Sequence, residues 1–228
     1  MQLKGRLLAI AEKIPQCDIL ADIGTDHAYI PVYAVKNSLC RKAIASDVKS
    51  GPVEIAARNI KRYGLSELID TRHGSGIETI NDDELDVIVI AGMGGMLIQD
   101  IICSNLDKAK KAGLFVLQPM NCVEDLRKWL YSNGFDIIDE TLAQETIKIY
   151  NIILTRWDGN TRHVDDYDCF IGLKLMERKD DIFRVYIEKK LGVIEKKING
   201  MKKANEKSPL LDQLIGIRIK LIDLLKIR

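Results

Sequence analysis

No apolar stretch of this 228-residue chain approaches the ~20 residues that a membrane-spanning helix needs, so no membrane contact is predicted. The N-terminus, Met1-Gln2-Leu3-Lys4-Gly5-Arg6, opens an amphipathic pattern instead of the apolar run of a secretory signal. Cysteine is sparse: five residues, at 17, 40, 103, 122 and 169, without a Cys-x-x-Cys pair. An odd, scattered set argues against a disulfide framework or a zinc site and fits reduced thiols in a cytoplasmic protein. Histidine is rarer still, three in all, and His73 and His163 have no partner pattern, so no metal is expected. Internal repeats and low-complexity segments are lacking. With 46% hydrophobic residues, the chain has ample material for one large domain, or for one of ordinary size plus an appendage.

Net charge is also nearly absent, at +1, but the balance is uneven. Residues 159–228 carry 16 Lys and Arg against 11 Asp and Glu, a net +5, which leaves the rest of the chain at −4. A basic appendage on an acidic domain suits an anionic macromolecule, although a solvated lysine-rich helix face has the same composition.

Periodicity supplies the architecture. Apolar positions 3, 7, 10, 11 and 14 predict an amphipathic helix that stops before Pro15. Strand candidates follow at 17–23, 42–46, 67–72, 85–91 and 113–118, with helices between them at 29–38, 51–63, 94–111 and 122–133. Such alternation predicts a parallel sheet with helices on both faces. Residues 135–142 and 147–155 lie too close together for a helix to intervene, so they should pair as a terminal hairpin with one antiparallel strand. A Rossmann-like parallel sheet closed in this way is the arrangement of class I methyltransferases, an argument from fold alone. Beyond Asp158-Gly159 the pattern is helical. Ile187, Leu191, Ile194, Ile198 and Met201, then Leu210, Leu214, Ile217, Leu221 and Leu224, each repeat a 4, 3, 4, 3 spacing. Two such seams joined at Ser208-Pro209 predict a coiled-coil helical hairpin. The expected domains are therefore 1–158, the cofactor-binding domain, and 159–228, the hairpin.

The chemistry concentrates in Asp22-Ile23-Gly24-Thr25-Asp26-His27-Ala28-Tyr29-Ile30-Pro31, where a strand turns into a helix. A turn built for pyrophosphate needs glycine at 26 and 29; Asp26 and Tyr29 stand there instead. A carboxylate repels pyrophosphate by about 1 kcal/mol or more even at high dielectric. It attracts a ligand bearing an ammonium and a sulfonium, which points to S-adenosylmethionine and away from NAD. Asp22 is placed to receive the ammonium, with Gly24 making the turn; accepting loop N–H groups is the competing role. Asp47, 25 residues on at the tip of the second strand, suits the ribose hydroxyls, with Val48 beside it. Gly74-Ser75-Gly76 after the third strand suits the adenine edge. Ala91-Gly92-Met93-Gly94-Gly95 ends the fourth strand with exposed backbone where the methyl group would emerge, and no Gly-Lys-Ser/Thr follows to make a nucleotide triphosphate loop. Gln118, Pro119 and Asn121 end the fifth strand at the same sheet edge and are substrate candidates.

In combination, Asp22-Ile-Gly-Thr-Asp-His-Ala-Tyr-Ile-Pro31, Ile90-Ala-Gly-Met-Gly-Gly95, Leu117-Gln-Pro119 with Leu126-Arg-Lys-Trp-Leu130, and the helical tail resemble the bacterial tRNA (adenine-22-N1)-methyltransferase, or TrmK, family. The resemblance spans essentially the whole chain and implies a class I enzyme that methylates N1 of one tRNA adenine. One position departs: the family carries Gly-Asp-Gly after the third strand, so Ser75 stands where an acid would edge the cofactor adenine. Adenine N1 has its own lone pair, so the site needs positioning and acceptors more than a strong base. Asp26, Tyr29, His27, Gly92 and Met93 are the catalytic candidates. Because N1 is masked in a base pair, the target must be unpaired or flipped out. Lys189, Lys190, Lys196 and Lys197 of the tail are candidates for the tRNA backbone. A monomer or weak homodimer is expected. Two rivals stay open: a class I methyltransferase acting on a small molecule or protein, and a weakly cofactor-binding adaptor that works through its hairpin.

Overall fold

The computed structural model of the chain describes residues 1–178, 180–204 and 208–226. Two compact units divide it, Met1–Lys174 and Leu175–Arg228. In the first, β1 (Cys17–Ile23), β2 (Cys40–Asp47), β3 (Ile69–His73), β4 (Val87–Met93) and β5 (Leu114–Pro119) run parallel. The hairpin β6 (Phe135–Glu145) and β7 (Lys148–Trp157) completes the sheet, with β7 antiparallel beside β5. The strand order is β3-β2-β1-β4-β5-β7-β6. Order reverses between β1 and β4, which opens a crevice at their carboxyl ends, the place where open α/β sheets hold ligands.

Strand alternation builds two apolar layers. Ala21, Ile23, Ile88, Ile90, Phe115 and Leu117 project to one face, and Leu20, Val87, Val89 and Val116 to the other. The first face is covered from α4 (Gly95–Ser104), α5 (Leu106–Lys111) and α6 (Val123–Ser132) through Ile98, Ile102, Ala109, Leu126 and Leu130. The second is covered from α1 (Gly5–Ala11), α2 (Tyr29–Lys36) and α3 (Ser50–Arg62) through Ile10, Ile30, Val32, Ala56 and Ile60. Each such isoleucine or leucine contributes about 1.5–3 kcal/mol of burial. The single helix expected over 94–111 is two, because Asn105 (φ −134°, ψ 47°) leaves the helical region and serves as the boundary of both. Asparagine favours such boundary positions over helix interiors.

One charged cluster lies inside this unit. Arg127 and Glu140, each 1% exposed, pair at 2.5 Å; Asn151 donates to Glu140 Oε1 at 3.1 Å, and Arg127 Nη1 donates to the Cys169 carbonyl at 2.7 Å. Cys169 belongs to α7 (Asp166–Ile171), so the ion pair ties the segment after β7 to the sheet.

A short helix, α8 (Leu173–Arg178), spans the division. The second unit is made chiefly of α9 (Asp181–Lys203) and α10 (Pro209–Lys226), which pack on each other. Asp180 caps α9 by accepting the Phe183 N–H at 3.0 Å. Ile187, Ile194 and Ile198 of α9 and Leu214, Ile217 and Leu221 of α10 are buried, whereas Leu210 is 52% exposed. Among the described residues no helix is long and apolar enough to cross a membrane.

Candidate active site

The β1 tip is held by its neighbour strand: the Gly24 and Thr25 N–H groups both donate to the Ser46 carbonyl, each at 2.8 Å. Gly24 has φ +72°, a left-handed conformation that glycine adopts without strain, and a Cβ there would displace the Met93 methyl group. His27 (φ 60°) and Ala28 (φ 56°) are two consecutive left-handed residues with side chains, a strained arrangement held by Asn59 Nδ2 donating to the His27 carbonyl at 3.0 Å. The sharp turn sets Asp26 and Tyr29 beside the cleft. Asp26 is 88% exposed at its side chain, its Oδ1 lies 3.2 Å from His27 Nε2, and the His27 ring stacks on Tyr29 at 5.3 Å.

Asp22 is its buried counterpart. Its carboxyl is 5% exposed as a residue and accepts the Thr25 hydroxyl at 2.6 Å. Burial pushes its pKa up to about 6, and Asp26 and Asp47 add to the rise.

At the β4 tip the register shifts between Ala91 and Met93, which leaves Gly92 (φ +78°) as a bulge with its backbone turned to the cleft. The Gly92 N–H donates to Gln118 Oε1 at 3.2 Å. Gln118 is fully buried, and its Oε1 also accepts Arg6 Nη1 at 2.6 Å while its Nε2 donates to the Pro119 carbonyl at 2.8 Å. Expected at the substrate, Gln118 is instead engaged by the protein at both ends of its amide. Pro119 beside it is buried, while Asn121 is exposed, next to Gly94.

Arg6 is the site residue that sequence reasoning passed over. It sits in the first turn of α1, with its N–H on Glu145 Oε1 at 2.6 Å and its guanidinium 5.7 Å from the centre of the Tyr150 ring. From there it enters a cavity of 310 Å³ shared with Asp22, Gly24, Asp26, Tyr29 and Met93. The cavity thus has a cation on one wall and carboxyl groups on another. Ala91 and Gly92 line it too.

Asp47 and Gly74 meet at the neighbouring tips, where the Gly74 N–H donates to the Asp47 carbonyl at 3.1 Å and Asp47 Oδ1 accepts the Lys49 N–H at 2.7 Å. Val48 is 62% exposed there. Ser75 precedes a 3-10 turn over Gly76–Thr79, and its N–H donates to Glu78 Oε1 at 2.8 Å. A carboxylate is therefore present at this turn, three residues beyond the position that the resemblance implies. Lys189, Lys196 and Lys197 are exposed on α9 and Lys190 is half-buried. Among the described residues no group of three or more His, Cys, Asp or Glu is arranged to hold a metal.

A methyltransferase-domain family model matches residues 3–153. The tRNA (adenine(22)-N(1))-methyltransferase of Bacillus subtilis is 40% identical over 173 residues, which cover 76% of this chain and 73% of that protein. The crystal structure of the B. subtilis m1A22 tRNA methyltransferase superposes with a TM-score of 0.86 at 31% identity, covering 99% of each chain. A Streptococcus pneumoniae structure in complex with S-adenosyl-L-methionine superposes with a TM-score of 0.86 at 30% identity, covering 98% of this chain and all of the other.

Proposed function

The chain belongs to the tRNA (adenine-22-N1)-methyltransferase family, and from that premise we propose that it methylates N1 of adenine 22 in tRNA, with S-adenosylmethionine as cofactor. The observation that carries this reading to the chain's own residues is the cavity between the β1 and β4 tips. Its buried Asp22 and its Arg6 present opposite charges to one 310 Å³ space, which fits the ammonium and carboxylate of an amino-acid ligand. The bulged Gly92 adds a stretch of backbone without a side chain. Asp47 holds the ribose, Val48 gives the adenine ring an apolar face, and Gly74, Ser75 and Gly76 edge that ring with Glu78 as the nearby carboxylate.

When bound, S-adenosylmethionine supplies an electrophilic methyl group on a sulfonium. The protein's task is to orient the target base, exclude water and stabilise the positive charge that methylation leaves on it. Asp26 accepts from the exocyclic amino group as that charge develops. Tyr29, backed by the stacked His27, offers the flipped base a ring. Gly92 and Met93 form the floor. Gln118 acts through others, fixing Arg6 and the Gly92 N–H. Pro119 and Asn121 flank the entry.

Residues 159–228 act as the tRNA-binding part, and Lys189, Lys190, Lys196 and Lys197 meet the phosphate backbone. The net +5 of this segment supports that role. The tRNA substrate and the scattered thiols support a cytoplasmic location, with the chain a monomer or weak homodimer.

The test is incubation of labelled S-adenosylmethionine with unmodified tRNA and mapping of the modified base. Label at N1 of adenine 22 is the expected result; label in another nucleotide, or none in tRNA, refutes the assignment. One observation favours a second reading, a non-catalytic adaptor that binds cofactor weakly at best: Ser75 stands where the resemblance implies an acid. Calorimetry that detects no cofactor binding would select it.

A further inference from the structure

Cys17 and Cys40 are the first residues of β1 and β2 and are register partners across the parallel pair. Paired residues of adjacent parallel strands project to the same face, and neighbouring strands lie about 4.7–4.9 Å apart. That spacing falls within the roughly 4.4–6.8 Å between Cα atoms that a disulfide bridges. The rung beside them is already fixed, since the Cys17 N–H donates to the Leu39 carbonyl at 3.0 Å. The two thiols are also inequivalent. Cys17 Sγ donates to the Leu39 carbonyl at 3.8 Å; the neighbouring Cys40 side chain holds the Cys17 thiol below its ordinary value, while Cys17 and burial push Cys40 up. Cys17 is half-buried and Cys40 buried, and both line a dent of 520 Å³ with Gln16, Ser38 and Arg41, through which a small oxidant reaches them.

We propose that Cys17 and Cys40 are an oxidation site at which a hydroperoxide closes one intramolecular disulfide. The Cys17 thiolate attacks the peroxide oxygen, the O–O bond breaks, and the released hydroxide leaves as water, with Cys17 now a sulfenic acid. The Cys40 sulfur then attacks the Cys17 sulfur, the S–O bond breaks, and the departing hydroxide takes the Cys40 proton. Two thiols and one hydrogen peroxide give one disulfide and two waters. The bridge lies at the base of the strands whose opposite tips carry Asp22 and Asp47, so it fastens the sheet at the end away from the ligand. By closing the 17–40 segment it raises the unfolding midpoint by about 5–10 °C.

The full-length protein is treated with hydrogen peroxide, alkylated and mapped by mass spectrometry, with the exposed Cys103 as an internal standard for accessible thiol. The expected product is about 2 Da lighter than the reduced protein, joins the Cys17 and Cys40 peptides, melts higher and reverts with dithiothreitol. In Cys40→Ser the link is lost and Cys17 is trapped as a dimedone adduct; Cys17→Ser leaves Cys40 alkylatable, which covers the case where one variant fails to fold. The proposal is overturned if Cys17 and Cys40 both remain alkylatable once Cys103 is oxidised. It is equally overturned if the only link formed joins Cys103 of two molecules.

Discussion

Asp22→Asn should make the protein more stable and less able to bind its cofactor. The Asp22 carboxyl titrates near 3.8 in an unfolded chain and is pushed up to about 6 in the fold, chiefly by burial. Between those values the folded state holds a proton that the unfolded state has released. Stability therefore falls as pH rises through this window and stays reduced above it. Roughly two pKa units correspond to about 3 kcal/mol at neutral pH. Asparagine keeps the shape and still accepts the Thr25 hydroxyl, though as a neutral acceptor its bond is weaker by about 1 kcal/mol. The expected gain is about 1–3 kcal/mol at pH 7, a few degrees in the unfolding midpoint. Cofactor binding moves the opposite way. The ligand's ammonium favours the ionised carboxyl, so wild-type affinity should fall about tenfold per pH unit below about pH 6. The variant should bind about 1.5–3 kcal/mol more weakly at pH 7 and show no such slope. Melting curves from pH 4.5 to 7.5 and titration calorimetry read both effects. A variant less stable than wild type at pH 7, or a wild-type affinity that is flat from pH 7 to 5, refutes the reasoning.

Other substitutions probe the rest of the molecule. Asp47→Ala should cost about 1.5–3 kcal/mol of cofactor affinity because its charge-assisted hydrogen bonds go, and wild-type affinity by calorimetry would remove it from the ribose site. Asp26→Asn should lower turnover on tRNA with little change in melting temperature, because the side chain is 88% exposed and takes no part in the core; full turnover dismisses Asp26 from the site. Charge reversal at Lys196, Lys197, Lys202 and Lys203 should weaken tRNA binding and reduce its salt slope by just under ~1 unit for each phosphate that is no longer neutralised. An unchanged slope makes the tail a structural element. Arg127→Met leaves Glu140 buried without its guanidinium and should destabilise the fold by about 3–5 kcal/mol in denaturant titration, whereas the double change with Glu140→Leu should recover most of that stability.

The sheet was legible because its strands are buried on both sides, and apolar runs such as Val87–Ile90 read the same way whatever packs against them. The geometry of the β1 and β4 tips was legible because it depends on local chain features, a glycine turn with a carboxyl group beside it and a glycine-rich bulge. Arg6 was not. Its partner Gln118 lies 112 positions away, and a lone arginine on an amphipathic helix carries no mark of the cavity it enters. Burial denies Gln118 the freedom that a substrate contact needs, and nothing in Leu-Gln-Pro indicates that both ends of its amide are engaged. The break at Asn105 is a competition between propensity and packing that periodicity across 94–111 conceals.

Strand order has a consequence for synthesis. β7 is the last of these strands to leave the ribosome, yet it lies between β5 and β6, and among the described residues β6 pairs with it alone. A nascent chain that ends before Lys148 therefore presents β5 as an open, apolar edge, and β6 has no partner to join. The sheet is complete only when the residues through Trp157 have emerged. The open β5 edge is therefore the adhesive surface of any chain truncated before β7.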